Sequence, residues 1–174
     1  MIEKINKYFV TMFGLSKFKK IPGTIASFTT TVILFLYFHI FNFPKNFFLF
    51  FLVIVTIYAF IAVANYIKSK NNKDPKEVVI DEFIGQSIPI YLYEISHGTE
   101  KSFEDSFYFY VIMFMTFRVF DIIKPFPVSY FDKNFKNSFG VIMDDIVAGL
   151  YVVLFLIFFM TIKVYFTIWI ILII

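Results

Sequence analysis

The chain has 174 residues, of which 59% are hydrophobic, with 28 phenylalanines, a mean hydropathy of +0.77 and a net charge of +3. Soluble domains average about 45–50% apolar residues, so the excess implies a non-aqueous home. The absence of cysteine excludes disulfides, thiolate metal sites and cysteine-nucleophile phosphatases. The two histidines, His39 and His97, are too few for a His-rich zinc site and argue against a histidine triad. A charge of +3 is too mild to argue for nucleic acid, and one domain is expected across residues 1–174.

In chain order, residues 1–21 are short and basic, with Lys4, Lys7, Lys17, Lys19 and Lys20. No cleavable leader is expected, because no small-residue site follows a short apolar run. Lys4 and Lys7 read as a basic membrane flank, while Lys17, Lys19 and Lys20 are placed to meet a phosphate as well. Pro22-Gly23-Thr24 opens the first apolar segment, with Thr24 as the expected N-cap and Ser27 one turn on. Free N–H groups at a helix start suit a phosphate.

Residues 26–43 and 47–67 each have the length and apolarity of a membrane helix. The turn from Asn42 to Asn46, with Pro44, makes them an antiparallel pair. A polar loop from Lys68 to Glu77 follows. Residues 80–95 begin with Asp81-Glu82 and contain Gly85, Gln86 and Pro89. Pro89 is expected to kink this segment or cut it short. Adjacent acids on a helix point about 100° apart, so Asp81 and Glu82 need not face one ion. Gly85 allows another backbone or a headgroup to come close.

Segment 106–123 leads into the stretch that concentrates the chemistry. Arg118, Asp121 and Lys124 recur at intervals of three, which keeps neighbours on one helix face. Pro125 and Pro127 end that helix, and a polar loop carries Asp132. Asp144-Asp145 then opens the run 145–162; taken alone the pair reads equally as one cap with a solvated neighbour, but Asp121, Asp132 and Lys124 close by and the acid pair Asp81-Glu82 upstream count against that. Lys163 interrupts the apolar run. Residues 164–174 are too short for a span, so they are a continuation, an interfacial piece or a packed hairpin.

With five crossings (26–43, 47–67, 80–95, 106–123 and 145–162), thirteen of the sixteen lysines and arginines fall on one side. Only Lys45, Lys101 and Lys163 fall opposite. The positive-inside rule makes the basic side cytoplasmic. The expected fold is therefore all-α, a multi-pass helical membrane protein whose polar helix ends cluster at the cytoplasmic face. Four or more carboxylates at one face repel one another unless protonated or bridged by a cation. Oxygen ligands without His or Cys suit Mg²⁺.

The stretch F-R-V-F-D-I-I-K-P-F-P, then Asp132, then G-V-I-M-D-D-I-V-A-G (Gly140 to Gly149) closely resembles the bacterial phosphatidylglycerophosphatase A family. D-E-F-I-G-Q (Asp81 to Gln86) and P-G-T-I-A-S (Pro22 to Ser27) resemble two further motifs of that family, in the same order. Two departures stand out. The family commonly has another proline before P-G-T, where this chain has K-F-K-K. It often has a Gly-Gly-like pair where this chain has Asn137-Ser138, so the expectation there is a stiffer loop or a left-handed Asn137.

The resemblance implies a Mg²⁺-dependent lipid phosphatase of the bacterial inner membrane, working at the cytoplasmic face. Its substrate would be phosphatidylglycerophosphate and its product phosphatidylglycerol, within phosphatidylglycerol and cardiolipin biosynthesis. The implied metal ligands come from Asp81, Glu82, Asp121, Asp144 and Asp145. The implied catalytic residues are Asp121, Lys124, Arg118, Asp144 and Asp145, with Thr24, Ser27, Arg118 and Lys124 on the substrate phosphate. The attacking group is metal-activated water or an aspartate, with water preferred. Asp132 is expected to be structural or to support a site residue from behind.

Three competing designs lack their motifs: no D-x-D-x-T, no P-S-G-H and no D-G-x-x-A-R occurs. The alternative is a non-enzymatic cation-binding transport or scaffold subunit, which would place acids near mid-span rather than at segment ends. The sequence leaves the oligomeric state open.

Overall fold

The computed structural model describes residues 2–17, 21–70, 76–96 and 102–173. Seven α-helices make up the described chain: α1 (Ile2–Val10), α2 (Pro22–Phe35), α3 (Lys45–Lys70), α4 (Ile80–Ser96), α5 (Phe103–Ile123), α6 (Val128–Asn134) and α7 (Ser138–Ile173). A 3-10 turn (Met12–Lys17) follows α1, and α2 ends in a single wide π turn (Leu36–Ile40). Four helical stretches are long and apolar enough to cross a membrane: Pro22–Ile40, Lys45–Lys70, Phe103–Ile123 and Ser138–Tyr165. Phe47, Phe50, Ile57, Leu154 and Phe158 point outward from these helices and stay exposed. So much exposed apolar side chain fits a lipid-facing surface.

The fifth expected crossing, 80–95, is different in kind. α4 has 17 residues, of which twelve are buried, so it is the bundle's central post rather than a lipid-facing helix. It runs from the end where Pro22, Asp121 and Asp144 gather to the end where His39 and Lys45 meet Glu94. Pro89 does not cut α4 short, because the helix continues unbroken to Ser96. Proline has no N–H, so the Gly85 carbonyl loses its usual partner four residues on. The backbone of α7 closes on that carbonyl. A β-carbon on Gly149 would lie 2.3 Å from the Gly85 oxygen, and one on Gly85 would lie 2.5 Å from the Asp145 oxygen. Only glycine permits this approach. Gly85 therefore receives a backbone, and α4 packs more extensively on α7 than on any other element.

Several boundaries differ from expectation. α7 runs without a break through Lys163 to Ile173, so residues 164–173 are a continuation of the last span. The stretch after Pro127 is not a plain loop, since it holds α6, which packs on α7. Asn137 is not left-handed; its Oδ1 accepts the N–H groups of Phe139 (3.0 Å) and Gly140 (3.2 Å) and so caps α7. That cap places Asp144 and Asp145 nearly two turns inside the helix, so neither is a cap. Thr24 is not an N-cap either. Ile21 occupies that position with no side-chain bond, and Pro22 takes the first helical place.

α1 lies across the acid-rich end of the bundle. Asn6 accepts a hydrogen bond from Tyr58 of α3 (2.8 Å), and the Val79 N–H donates to the Val10 carbonyl (2.9 Å). Lys19, Lys20, Lys73, His97 and Lys101 lie outside the described residues, as does the side chain of Lys17.

Candidate active site

Acids from three helices converge at one end of the bundle. Asp81 and Glu82 sit in the first turn of α4, Asp121 in the last turn of α5, and Asp144 and Asp145 two turns into α7. All five line one cavity of about 200 Å³, with Lys76, Lys124, Asp132 and Lys136 on its walls. The acids then divide by partner. Asp144 accepts from the Lys124 ammonium at 2.7 Å, and Asp121 from the Arg118 guanidinium at 2.9 Å. Asp81, Glu82 and Asp145 form no ion pair among the described residues. One oxygen from each lies within 4.8 Å of the others, as one cation would require.

Elementary electrostatics makes this trio informative. Three carboxylates in a buried setting are costly as anions unless something positive joins them. The Glu82 Oε2 atom is buried with no hydrogen-bond partner. The other Glu82 oxygen rests against Gly23 in the first turn of α2, where a β-carbon would collide with it. Asp145 also faces Asp121, and Asp81 faces Asp144. An oxygen-only donor set with an unpartnered buried oxygen fits a hard divalent cation. The adjacent acids Asp81 and Glu82 do reach a common point, because each offers only one oxygen to it.

Lys124 is the hinge of the cationic half. It ends α5 in a left-handed conformation (φ 48°, ψ 60°), with its N–H on the Phe120 carbonyl. Its ammonium bridges Asp132 (2.8 Å) and Asp144 (2.7 Å). Burial opposes its charge, but the two carboxylates outweigh burial and raise its pKa. Asp132 is partly desolvated, yet Lys124 holds its pKa below the ordinary carboxylate value. Asp132 thus acts through Lys124 rather than facing the acid trio.

Not every expected residue reaches the cavity. Thr24, Ser27 and Arg118 do not line it. Ser27 is fully buried; it donates to the Gly23 carbonyl (3.0 Å) and accepts from Arg118 (3.2 Å). Arg118 ties α2 to α5 and fixes Asp121, with its Nε buried and unpartnered. Lys76 and Lys136 are not singled out by any motif in the sequence, yet both reach the cavity wall. For Lys136 the signal was its position one helical turn beyond Asp132, whose carbonyl its ammonium meets.

A family model described as phosphatidylglycerophosphatase A matches residues 8–160. The chain belongs to the phosphatidylglycerophosphatase A family. Among curated proteins, it is 41% identical over 101 residues to a provisionally named phosphatidylinositol-3-phosphatase of Bacteroides thetaiotaomicron, covering 58% of each chain. It is 37% identical over 81 residues to phosphatidylglycerophosphatase A of Haemophilus influenzae, covering 47% of this chain and 44% of that one. The figures for the Escherichia coli protein of the same name are 33% over 76 residues, 44% and 39%. The aligned stretches thus span between 39% and 58% of these relatives' lengths. No solved structure matches. The matched region contains every stretch that meets at this cavity: the acids of D-E-F-I-G-Q, Asp121 and Lys124 of F-R-V-F-D-I-I-K-P and the D-D pair of α7.

Proposed function

We propose that the chain is a phospholipid phosphatase that converts phosphatidylglycerophosphate to phosphatidylglycerol and inorganic phosphate. The observation that carries this reading is the split among the acids. One trio is left without cations, and beside it lysines line a cavity of about 200 Å³, large enough for a phosphate group. Asp81, Glu82 and Asp145 would hold Mg²⁺, with Asp121 and Asp144 behind them. Bound there, the ion would polarise the phosphoryl oxygens and acidify a bound water.

The chain's own residues supply the rest. Lys124 has three N–H donors, two of them committed to Asp132 and Asp144, which leaves one for a phosphate oxygen. Lys76 and Lys136 add positive charge at the wall. Asp121, locked by Arg118, is the carboxylate placed to take the proton of an attacking water. Water oxygen bonds to phosphorus, the ester P–O bond breaks, and the glycerol oxygen leaves and gains a proton.

Lysine and arginine placement supports a cytoplasmic site, as fits a membrane enzyme of phosphatidylglycerol synthesis. The acids gather at helix ends rather than at mid-span, which speaks for surface chemistry over a transport path. A second reading, phosphatidylinositol 3-phosphate as substrate, is favoured by the name of the Bacteroides relative. Both substrates are phosphomonoesters on a polyol headgroup.

The test is phosphate release by the purified full chain in neutral detergent, with Mg²⁺ or EDTA, on each lipid. We expect Mg²⁺-dependent release from phosphatidylglycerophosphate, abolished by EDTA and by Asp145→Asn. Faster release from phosphatidylinositol 3-phosphate would install the second reading. No release from either lipid by folded protein would overturn both.

A further inference from the structure

A second and larger cavity, of about 620 Å³, adjoins the first and shares Pro22 and Lys76 with it. Its other wall is α1 and the turn after it, which supply Lys4, Lys7, Tyr8 and Ser16. Lys4 and Lys7 stand three residues apart, on one face of α1. With Lys76 they make, among the described residues, three positive charges against one acid, Glu77, which accepts a hydrogen bond from the Tyr66 hydroxyl. Among the described residues this cavity has one carboxylate, that of Glu77, and no trio to hold a cation.

The rim is built for a membrane surface. Ile5 and Tyr8 of α1 are exposed, while Asn6 and Val10 on its other side are buried. Phe13 is 88% exposed and held in a left-handed conformation (φ 56°) that few non-glycine residues adopt. A short amphipathic helix with lysines beside apolar side chains lies naturally in the headgroup layer.

We propose that this lysine-lined cavity binds a lipid phosphodiester. The inference rests on the phosphatase reading for its geometry. A lipid whose terminal phosphate occupies the first cavity carries its inner phosphodiester one glycerol unit away, on the side of its acyl chains. The shared Pro22–Lys76 wall makes the second cavity the continuation of that path, with the apolar rim of α1 beyond it. A neighbouring anionic lipid offers the same phosphodiester chemistry to the same lysines.

The experiment separates binding from catalysis. Dihexanoyl phosphatidylglycerol, which has the phosphodiester but no monoester, is titrated onto the purified full chain in neutral detergent with EDTA. Dihexanoyl phosphatidylcholine is the zwitterionic comparison. We expect the anionic lipid to bind more tightly, and Lys4→Gln/Lys7→Gln to weaken it roughly tenfold or more. Lys68→Gln/Lys133→Gln removes two exposed charges from the same end and leaves binding unchanged, as does Asp144→Asn. Equal loss in both double variants, or no loss in the first, overturns the site.

Michaelis constants for phosphatidylglycerophosphate identify the source of the bound group. A raised KM with unchanged kcat in Lys4→Gln/Lys7→Gln assigns the cavity to the substrate's own inner phosphate. An unchanged KM alongside lost binding assigns it to a neighbouring lipid. A wild type that binds the phosphodiester but releases no phosphate would refute the phosphatase reading and leave the anion site standing.

Discussion

The two ends of α4 carry buried carboxylates in opposite surroundings. Glu94 stands in the last turn, where the helix dipole disfavours an acid, and it has three partners. Tyr110 donates at 2.9 Å, His39 Nε2 lies at 2.9 Å, and the Lys45 ammonium lies at 3.8 Å. Asp81 and Glu82 stand in the first turn, where the dipole favours them, and with Asp145 they lack any ion pair among the described residues. The acid in the wrong place has been given every donor it needs to stay put. The acids in the favourable place have been left open. Burial alone does not single out a carboxylate; burial without a cationic partner makes it a candidate for a site.

The largest effect should come from substituting one acid at each end. Asp145→Asn is expected to lower phosphate release at least ~100-fold, above the usual loss for outer-shell partners of a metal, while the protein still folds. Glu94→Gln should leave kcat within about threefold and instead lower the thermal midpoint, since a satisfied hydrogen-bond network costs about 1–3 kcal/mol to disturb. An activity loss in folded Glu94→Gln as deep as that of Asp145→Asn would break the comparison.

Next in size is the joint that sets the acids' spacing. Gly85→Ala would drive a methyl group against the Asp145 carbonyl and the Phe117 ring, at 2.5 and 2.8 Å. Backbone cannot step aside as a side chain does, so we expect a loss of about 2–3 kcal/mol, read as a lower denaturation midpoint. A Gly85→Ala protein of wild-type stability would mean that α4 and α7 are less tightly joined than their geometry indicates.

Lys124→Gln sharpens the contrast from the other side, by turning a paired acid into an open one. Asp144 would lose its cation while staying buried. Because Lys124 is 29% exposed, the expected cost is roughly 1–2 kcal/mol, below the range for a fully buried pair. Retained stability together with lost activity would assign Lys124 wholly to the substrate.

The smallest effect concerns pH. Asp132 has a lowered pKa, so its contribution is present above the unfolded carboxylate value and lost as pH falls through the folded one. Lys124 has a raised pKa, so its contribution is present below the unfolded lysine value and lost as pH rises through the folded one. Both hold from about pH 5 to about pH 10. The Asp132→Asn stability deficit should therefore stay constant in a pH series of melting curves from about pH 8 to about pH 10, where Asp144, the other carboxylate on Lys124, is fully ionised; a deficit that varied there would mean another group titrates against Lys124.

Much of this arrangement could be read from residue order. Long apolar runs limited the number of spans, and acids at run ends pointed to one shared face. Three features could not. Composition does not tell that residues 80–95 face protein rather than lipid, since a helix buried in protein and one buried in lipid are equally apolar. Asp144 and Asp145 left a cap reading open because charges ahead of a long apolar run suit a helix N-terminus, whereas Asn137 starts the helix nearly two turns earlier, before Phe139, Val141, Ile142 and Met143. The bond from Arg118 to Ser27 depends on where α2 packs, which no local pattern encodes.

The glycine contact between α4 and α7 also bears on motion. Side chains at a helix interface let two helices slide by exchanging rotamers, but Gly85 and Gly149 have none to exchange. The helices that carry Asp81, Glu82 and Asp145 are therefore obliged to move as a single rigid body. When the bilayer thins, thickens or tilts the bundle, the strain falls on α1, α6 and the connecting turns. The spacing of the three carboxylates is insulated from the membrane that surrounds them.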